Sequence, residues 1–341
     1  QRVSKMDNMH DLTPIIFGAS MHAIFQSACD LGLYGLLKSK SLTKEEIRTQ
    51  LKLQTRACDI LLLGTSSMKT TVVKDGKYSL APLLEELVAD TKKWTIIKDL
   101  MAFEQFICYQ GQYDLTPSLQ QNTNVGLRQV PGTGRDLYHR LNENPPMEKA
   151  FYDYMESWTV LVQEHLIKNF PSDKKKIIDV GGGTGINSIA LAQANKEVEC
   201  VILEIPNSEP IAMERIKKAG VDSQVSVKSG DFFTMKWPAA DCVLFSHQLV
   251  IWTPEQNVEL LRKAYQCLEP GGKAVIFSSM SNNTEDGPLM AALDSVYFAV
   301  LPTEGGMIYS FAEYEREMKE VGFVNIESIN CHAWTPHGLV I

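Results

Sequence analysis

The chain has 341 residues, enough for two domains of ordinary size, and its 44% hydrophobic and 22% charged residues are those of a folded protein. A net charge of −8 argues against a nucleic-acid partner, which needs a concentrated basic surface. The longest apolar runs, such as 60–63 and 296–301, fall far short of a membrane span. Seven cysteines, odd in number and without a CxxC pair, read as free thiols in a reducing compartment, so the expected location is the cytoplasm.

Residues 1–165 read as a mainly helical domain. The segment 15–33 is apolar and rich in small residues, with no broad polar face, so it should be buried on most sides, in a core or against another subunit. Thr43 followed by Glu46 makes a capping box that starts a helix, and a second helix runs from about residue 56 to 68. Asp75-Gly76 between the strand-like segments 70–74 and 77–80 is a two-residue hairpin signal. Helix, helix and hairpin in this order make a winged-helix pattern. Without Arg or Lys spaced along one helix face, it reads as a structural module rather than a DNA reader.

From Lys175 onward strands and helices alternate. Strand 177–180 leads through a glycine loop into a helix ending near 194, and strand 199–204 precedes a helix at about 208–219. Strand 225–227 runs into Gly230-Asp231. Strand 242–245 is followed by a helix at 254–268 that Pro270-Gly271-Gly272 closes, then by strand 274–277. A helix at 311–321 and strand-like segments at 324–329 and 338–341 complete the pattern. Such alternation needs crossover connections. Residues 166–341 are therefore expected to form an α/β, Rossmann-like domain, its mostly parallel sheet covered on both faces.

Sheets of this kind bind ligands at the carboxyl ends of their strands, where strand order reverses. The loop at that place is Asp179-Val180-Gly181-Gly182-Gly183-Thr184-Gly185. Its glycines run GxGxG, and Ile186 stands where a dinucleotide fingerprint has its third glycine, which disfavours a nicotinamide ligand. Glu204 ends the second strand, where a carboxylate can accept hydrogen bonds from both ribose hydroxyls. Asp231, in Gly230-Asp231-Phe232-Phe233, follows the third strand; there a carboxylate can accept from an adenine amino group while an aromatic residue covers the ring.

DVGGGTG, then LEIP, then GDFF, then PGGK before a strand resemble the class I S-adenosylmethionine-dependent methyltransferases. More narrowly, the chain is similar to the small-molecule O-methyltransferase family that includes caffeate-type and acetylserotonin-type enzymes and bacterial natural-product tailoring enzymes. The likeness spans nearly the whole chain. It implies that Gly181, Gly183, Gly185, Glu204, Asp231 and Phe232 hold S-adenosylmethionine, with Ser246 near the sulfonium and Trp252 beside the adenine. It also implies that the N-terminal domain forms an intertwined homodimer and part of the pocket for a small-molecule substrate.

One departure stands out. Plant-type members carry His-Asp-Trp after the fourth strand, and that histidine takes the acceptor's proton. Aligned on Trp252, this chain reads Val250-Ile251-Trp252, and the family's supporting acids fall on Ser278 and Ile308. Proximity and orientation can supply about 7–11 kcal/mol of barrier reduction in the best cases, against about 10²–10⁴-fold for a general base. The expectation is therefore O-methylation of a secondary metabolite, driven mainly by proximity and orientation. C-methylation of an activated carbon, or a repurposed family member that transfers no methyl, are the alternatives. His247 is the candidate substitute base, although its odd offset from Val250 on an extended segment turns it to the opposite face unless a turn re-aims it. Phe151, Met155, Trp158, Val250 and Tyr297 are candidate acceptor contacts, joined by Phe298, Phe103 and Phe106. The histidines show no spacing that suggests a metal site.

Overall fold

In the computed structural model, which describes residues 6–206 and 208–341, contacts divide the chain into Gln1–Met101 and Ala102–Ile341. The N-terminal unit follows its local signals. The Thr43 hydroxyl accepts from the Glu46 N–H at 3.3 Å and the Glu46 carboxylate accepts from the Thr43 N–H at 2.7 Å, which starts the helix Lys44–Gln50. The helix Thr55–Ser67 follows. Strands β1 (Leu42–Thr43), β2 (Thr71–Lys74) and β3 (Lys77–Leu80) form a small antiparallel sheet in the order β1-β3-β2. Between β2 and β3, Asp75 and Gly76 both take positive φ, 50° and 71°, as a two-residue hairpin turn of this type demands. Leu33, Tyr34, Leu37, Ile47, Leu62 and Leu80 share the core, where the Tyr34 hydroxyl donates to Thr70 at 3.0 Å.

The apolar stretch 15–33 behaves otherwise than expected for a core helix. On the helix Gly18–Asp30 the buried residue is Ala28, while Ile15, Ile16 and Phe17 just before it are 66%, 62% and 56% exposed. Among the described residues no single helix is long and apolar enough to cross a membrane. Met9–Ile16 and Gly18–Asp30 reach that length and composition only together, bent by 60°.

The second unit is built on a seven-stranded sheet of β4 (Lys176–Val180), β5 (Glu199–Glu204), β6 (Val225–Ser229), β7 (Ala240–Ser246), β8 (Leu268–Ser279), β9 (Ser328–Asn330) and β10 (His337–Val340), in the order β6-β5-β4-β7-β8-β10-β9. β4 to β8 run parallel, and β10 is antiparallel to both β8 and β9. The continuous apolar runs of the central strands follow from burial on both faces. Ile178, Val180, Val243 and Phe245 enter one core with Leu260 and Met318; Ile177, Ile202, Cys242 and Leu244 enter the other with Leu191 and Ile216. This is the Rossmann-like architecture expected from the alternation of strands and helices, and strand order reverses between β4 and β7.

Three boundaries move. β8 starts at Leu268, because Pro270-Gly271-Gly272 continue the strand, with Gly271 at φ 81° and a register shift opposite Ala240 to Cys242, rather than closing the preceding helix in a turn. The penultimate strand is shorter than expected, at 328–330, and the last is shifted by one residue, to 337–340. The division between units falls at Met101 rather than near 165. The intervening segment is helical, which made it look like part of the N-terminal half, yet Phe103, Ile107, Leu137 and Phe151 share a core with Val300 and Leu301.

Glu317, on the helix Phe311–Val321, is buried, and burial pushes its carboxyl up to about 8 from an ordinary 4.5. A carboxyl raised in the folded state contributes stability that is complete below its unfolded pKa and lost as pH climbs through the folded value. Melting curves from pH 5 to about 9 should show Glu317→Gln gaining on the wild type as pH rises. A constant difference across that range would refute the assignment.

Candidate active site

At the end of β4 the chain turns back through residues 181–185 into the helix Ile186–Ala194. Gly181 lies at φ 64°, and a Cβ there would stand 2.3 Å from the Gln248 side-chain oxygen. Gly183 lies at φ 55° with nothing within 4 Å of the place a Cβ would occupy, so the space over the turn is open to a ligand. Glu204, at the tip of β5, is 8% exposed, and its carboxylate accepts from the Gly183 and Ile205 N–H groups, both at 2.8 Å. Burial pushes this carboxyl up while the two amides pull it down. Asp179 beneath the loop is buried, accepts from the Ser188 hydroxyl at 2.7 Å, and is pushed up to about 6 by burial.

Asp231 follows β6, is exposed, and accepts from the Phe233 N–H at 2.9 Å. Phe232 is buried beside Phe233, with ring centres 5.3 Å apart, and Trp252 meets Phe233 edge-on at 4.9 Å. The Trp252 indole N–H is buried with no partner among the described residues. Gly181, Gly183, Glu204, Asp231, Phe232, Ser246 and Trp252 line one cavity of about 1260 Å³. Gly185 is outside that lining; at φ 80° it starts the helix. An open glycine turn, a buried carboxylate with lone pairs to spare, and an indole N–H beside packed aromatic rings fit a nucleoside. The volume exceeds a typical single-ligand pocket and leaves room for a second molecule.

The other end of the cavity is aromatic. Phe103 stacks on Tyr154 at 3.7 Å and 10°, Tyr154 continues onto Trp158 at 5.7 Å, and Tyr297 meets Phe103 edge-on at 5.2 Å. Phe151, Met155, Val250 and Phe298 line the same space, whereas Phe106 is exposed and does not. Val250, Ser278 and Ile308, the three positions that carry the histidine and acids of plant-type relatives, all reach this cavity. They bring it no titratable group.

His247 does not replace the missing base. A turn at φ 54° does re-aim its ring, but Nε2 lies 2.7 Å from Nε2 of His337 and Nδ1 lies 3.2 Å from the Ser246 hydroxyl. His337 in turn shares its Nδ1 with the Thr335 hydroxyl at 2.9 Å. Burial lowers His247 to about 4 and His337 well below its ordinary value, so both rings are neutral and one proton is shared between them. Ser246 also accepts from the Asn187 amide at 2.8 Å. The expectation of a basic His247 therefore gives way to a packed, neutral imidazole.

Two carboxyls that sequence reasoning passed over do face the acceptor end. Asp294, on the helix Leu289–Val300, accepts from the Ser279 hydroxyl at 3.4 Å, and burial, then the charge of Glu104, push it up to about 7. Glu104 is raised by burial and held by side-chain hydrogen bonds to Gln112 and Cys108. Both line the cavity. A signal was present: each is a lone acid in an apolar helical stretch, LMAALDSVYFAV and MAFEQFICY. Among the described residues no group of three or more His, Cys, Asp or Glu could hold a metal ion.

Comparison with known proteins places these features in context. An O-methyltransferase domain matches residues 113–324. An L-tyrosine C(3)-methyltransferase from Streptomyces lavendulae is 52% identical over 339 residues, covering 98% of this chain and 92% of the relative. The apo crystal structure of the S-adenosylmethionine-dependent methyltransferase SibL superposes with a TM-score of 0.86 at 38% identity, covering 98% of both chains. Human N-acetylserotonin methyltransferase in complex with S-adenosylmethionine shares the fold, with a TM-score of 0.82 at 19% identity and coverage of 99% and 98%.

The loop geometry separates its glycines. Gly183→Ala should lose about 1–2 kcal/mol to the left-handed backbone alone. Gly181→Ala carries the same strain and a Cβ clash with Gln248, so it should lose more. Urea unfolding of both variants measures this, and equal losses would contradict the packing assigned to Gly181.

Proposed function

The chain belongs to the O-methyltransferase-domain family of S-adenosylmethionine-dependent enzymes, and on that premise we propose that it methylates a ring carbon of a small phenolic amino acid of the L-tyrosine class. One observation carries this reading: the 52% identity, over 98% of the chain, to a protein named for methylating C(3) of L-tyrosine. The same finding overturns the expectation of an oxygen acceptor in favour of its alternative, methylation of an activated carbon. In a phenol the carbons beside the hydroxyl become nucleophilic as the hydroxyl proton leaves, so the methyl goes to carbon when that carbon, not the oxygen, lies on the sulfur–methyl axis. The stacked Phe103, Tyr154 and Trp158 offer a flat aromatic wall against which such a ring can be held.

S-Adenosylmethionine is the methyl donor. In our reading Glu204 accepts from its ribose hydroxyls, Asp231 and the Trp252 N–H face the adenine beside Phe232, Gly181 and Gly183 let the backbone approach, Gly185 starts the supporting helix, and Ser246 sits toward the sulfonium. Phe151, Met155, Trp158, Val250 and Tyr297 enclose the acceptor. The apolar Ile15, Ile16 and Phe17, exposed on the N-terminal unit, support a homodimer formed through that unit. Seven unpaired cysteines support a reducing, cytoplasmic setting.

Three measurements test this. Incubation with L-tyrosine and donor carrying a ¹³C-methyl group should give a product whose label is attached to the ring carbon beside the hydroxyl by NMR; a label on oxygen or nitrogen refutes the reading. Glu204→Ala should weaken S-adenosylhomocysteine binding in calorimetry by at least about tenfold, or about 1.4 kcal/mol. Phe17→Asp should shift the sedimentation coefficient from dimer to monomer, and an unchanged coefficient would remove that face from the interface.

A further inference from the structure

We propose that Asp294 is the base that removes the acceptor's hydroxyl proton as the adjacent ring carbon is methylated, an inference that rests on the phenolic acceptor proposed above. The positions where plant-type relatives carry a base and its supporting acids offer none here. Val250, Ser278 and Ile308 cannot take a proton at neutral pH, and both ring nitrogens of His247 are engaged within the protein. Glu104 is held by Gln112 and Cys108. Asp294 keeps one weak hydrogen bond, from Ser279 at 3.4 Å, and lines the cavity beside the aromatic wall. Its neighbour across the cavity floor, Ser279, directly follows Ser278, so the carboxyl comes from the helix Leu289–Val300 to the region where plant-type relatives place an acid at the end of a strand.

The groups that act electrostatically on Asp294, or on which it acts, are Glu104, Cys108 and Tyr154; Tyr297, three residues along the same helix, lines the cavity with it. Of these, Glu104 is the one other carboxyl. With burial it raises Asp294 to about 7, so the group is a carboxylic acid below neutrality and a carboxylate above it. A base with this midpoint suits proton transfer at cellular pH.

The step balances as follows. The O–H bond breaks and its proton passes to the Asp294 carboxylate, while the freed pair is delocalised to the ring carbon beside the oxygen. That carbon forms its bond to the methyl group as the methyl–sulfur bond breaks, the sulfur keeping the pair and leaving as S-adenosylhomocysteine. The methylated carbon still carries its hydrogen. Loss of that hydrogen as a proton to water, with the oxygen regaining a proton from the Asp294 carboxyl, restores the phenol, and one proton is released in all.

The test compares pH profiles of kcat and KM for wild type, Asp294→Asn and Glu104→Gln between about pH 5 and 9, with L-tyrosine and with 3-fluoro-L-tyrosine, whose hydroxyl is more acidic and which keeps one open carbon beside it. Calorimetry with S-adenosylhomocysteine checks that each variant is folded. Asp294→Asn should lose about 10²–10⁴-fold in kcat, lose the rise of activity through neutrality, and recover in part with the fluorinated acceptor. Glu104→Gln should move that rise to lower pH, because removing a like charge favours the Asp294 carboxylate; this arm reads the carboxyl without altering it. Wild-type kcat and profile in Asp294→Asn, a loss confined to KM (the mark of a carboxylate that only holds the substrate's ammonium), or an unmoved profile in Glu104→Gln would overturn the inference alone. Absence of ring methylation by the wild type would instead overturn the proposed function.

Discussion

Glu204 carries its carboxylate into a nearly closed site at the tip of β5, where two backbone amides, from Gly183 and Ile205, donate to it at 2.8 Å. A carboxylate removed from water is costly unless its oxygens are satisfied, and hydrogen bonds to a charged acceptor are among the stronger ones. The same bonds pin the glycine turn to the neighbouring strand. β4 and β5 pair in parallel with Val180 opposite Leu203, and the Gly181 N–H donates to the Leu203 carbonyl at 2.8 Å, so the turn leaves the sheet directly over Glu204. A shift of that register by one residue would send the carboxylate to the other face and open the turn. The cavity floor therefore rests on the pairing of two short strands.

The acceptor end obeys a different constraint. Its strand-tip positions are apolar or carry only a hydroxyl, and the titratable groups come from helices that pack over the tips. Below them, His247 and His337 bridge the ends of β7 and β10 through one shared proton, with Trp158 5.5 Å from His337. Burial keeps both imidazoles neutral, so the pair stiffens the floor without placing a charge beside a cationic donor. The hydroxyl of Ser246 ties this pair to Asn187, on the helix that follows the glycine turn. Nucleoside and acceptor halves of the cavity are thus joined through hydrogen bonds rather than through loops alone.

The local signals worked where one short segment holds all the physics. Thr43 and Glu46 cap a helix, Asp75-Gly76 makes a turn, and the alternation after Lys175 makes a parallel sheet, because capping, turn geometry and two-sided burial depend on residues adjacent in sequence. Helical content misled at the domain boundary: residues 102–165 look like the N-terminal half but pack on Val300 and Leu301, far along the chain. The segment 15–33 reads as buried from its composition, yet its start lies open on this chain.

What the amino-acid order determined by itself was the fold class, the donor and the cluster of motifs at successive strand ends, since each of these is written in a contiguous run: GGGTG, LEIP, GDFF. Tertiary structure alone decided which titratable groups meet the acceptor. His247 was the natural candidate along the chain, but its partner is ninety residues away and engages its ring, while burial keeps it neutral. Asp294 and Glu104 look like stray acids in apolar helices until folding brings them within electrostatic reach of each other. Proton affinity is set by burial and by neighbours in space, and neither can be read from spacing in a sequence.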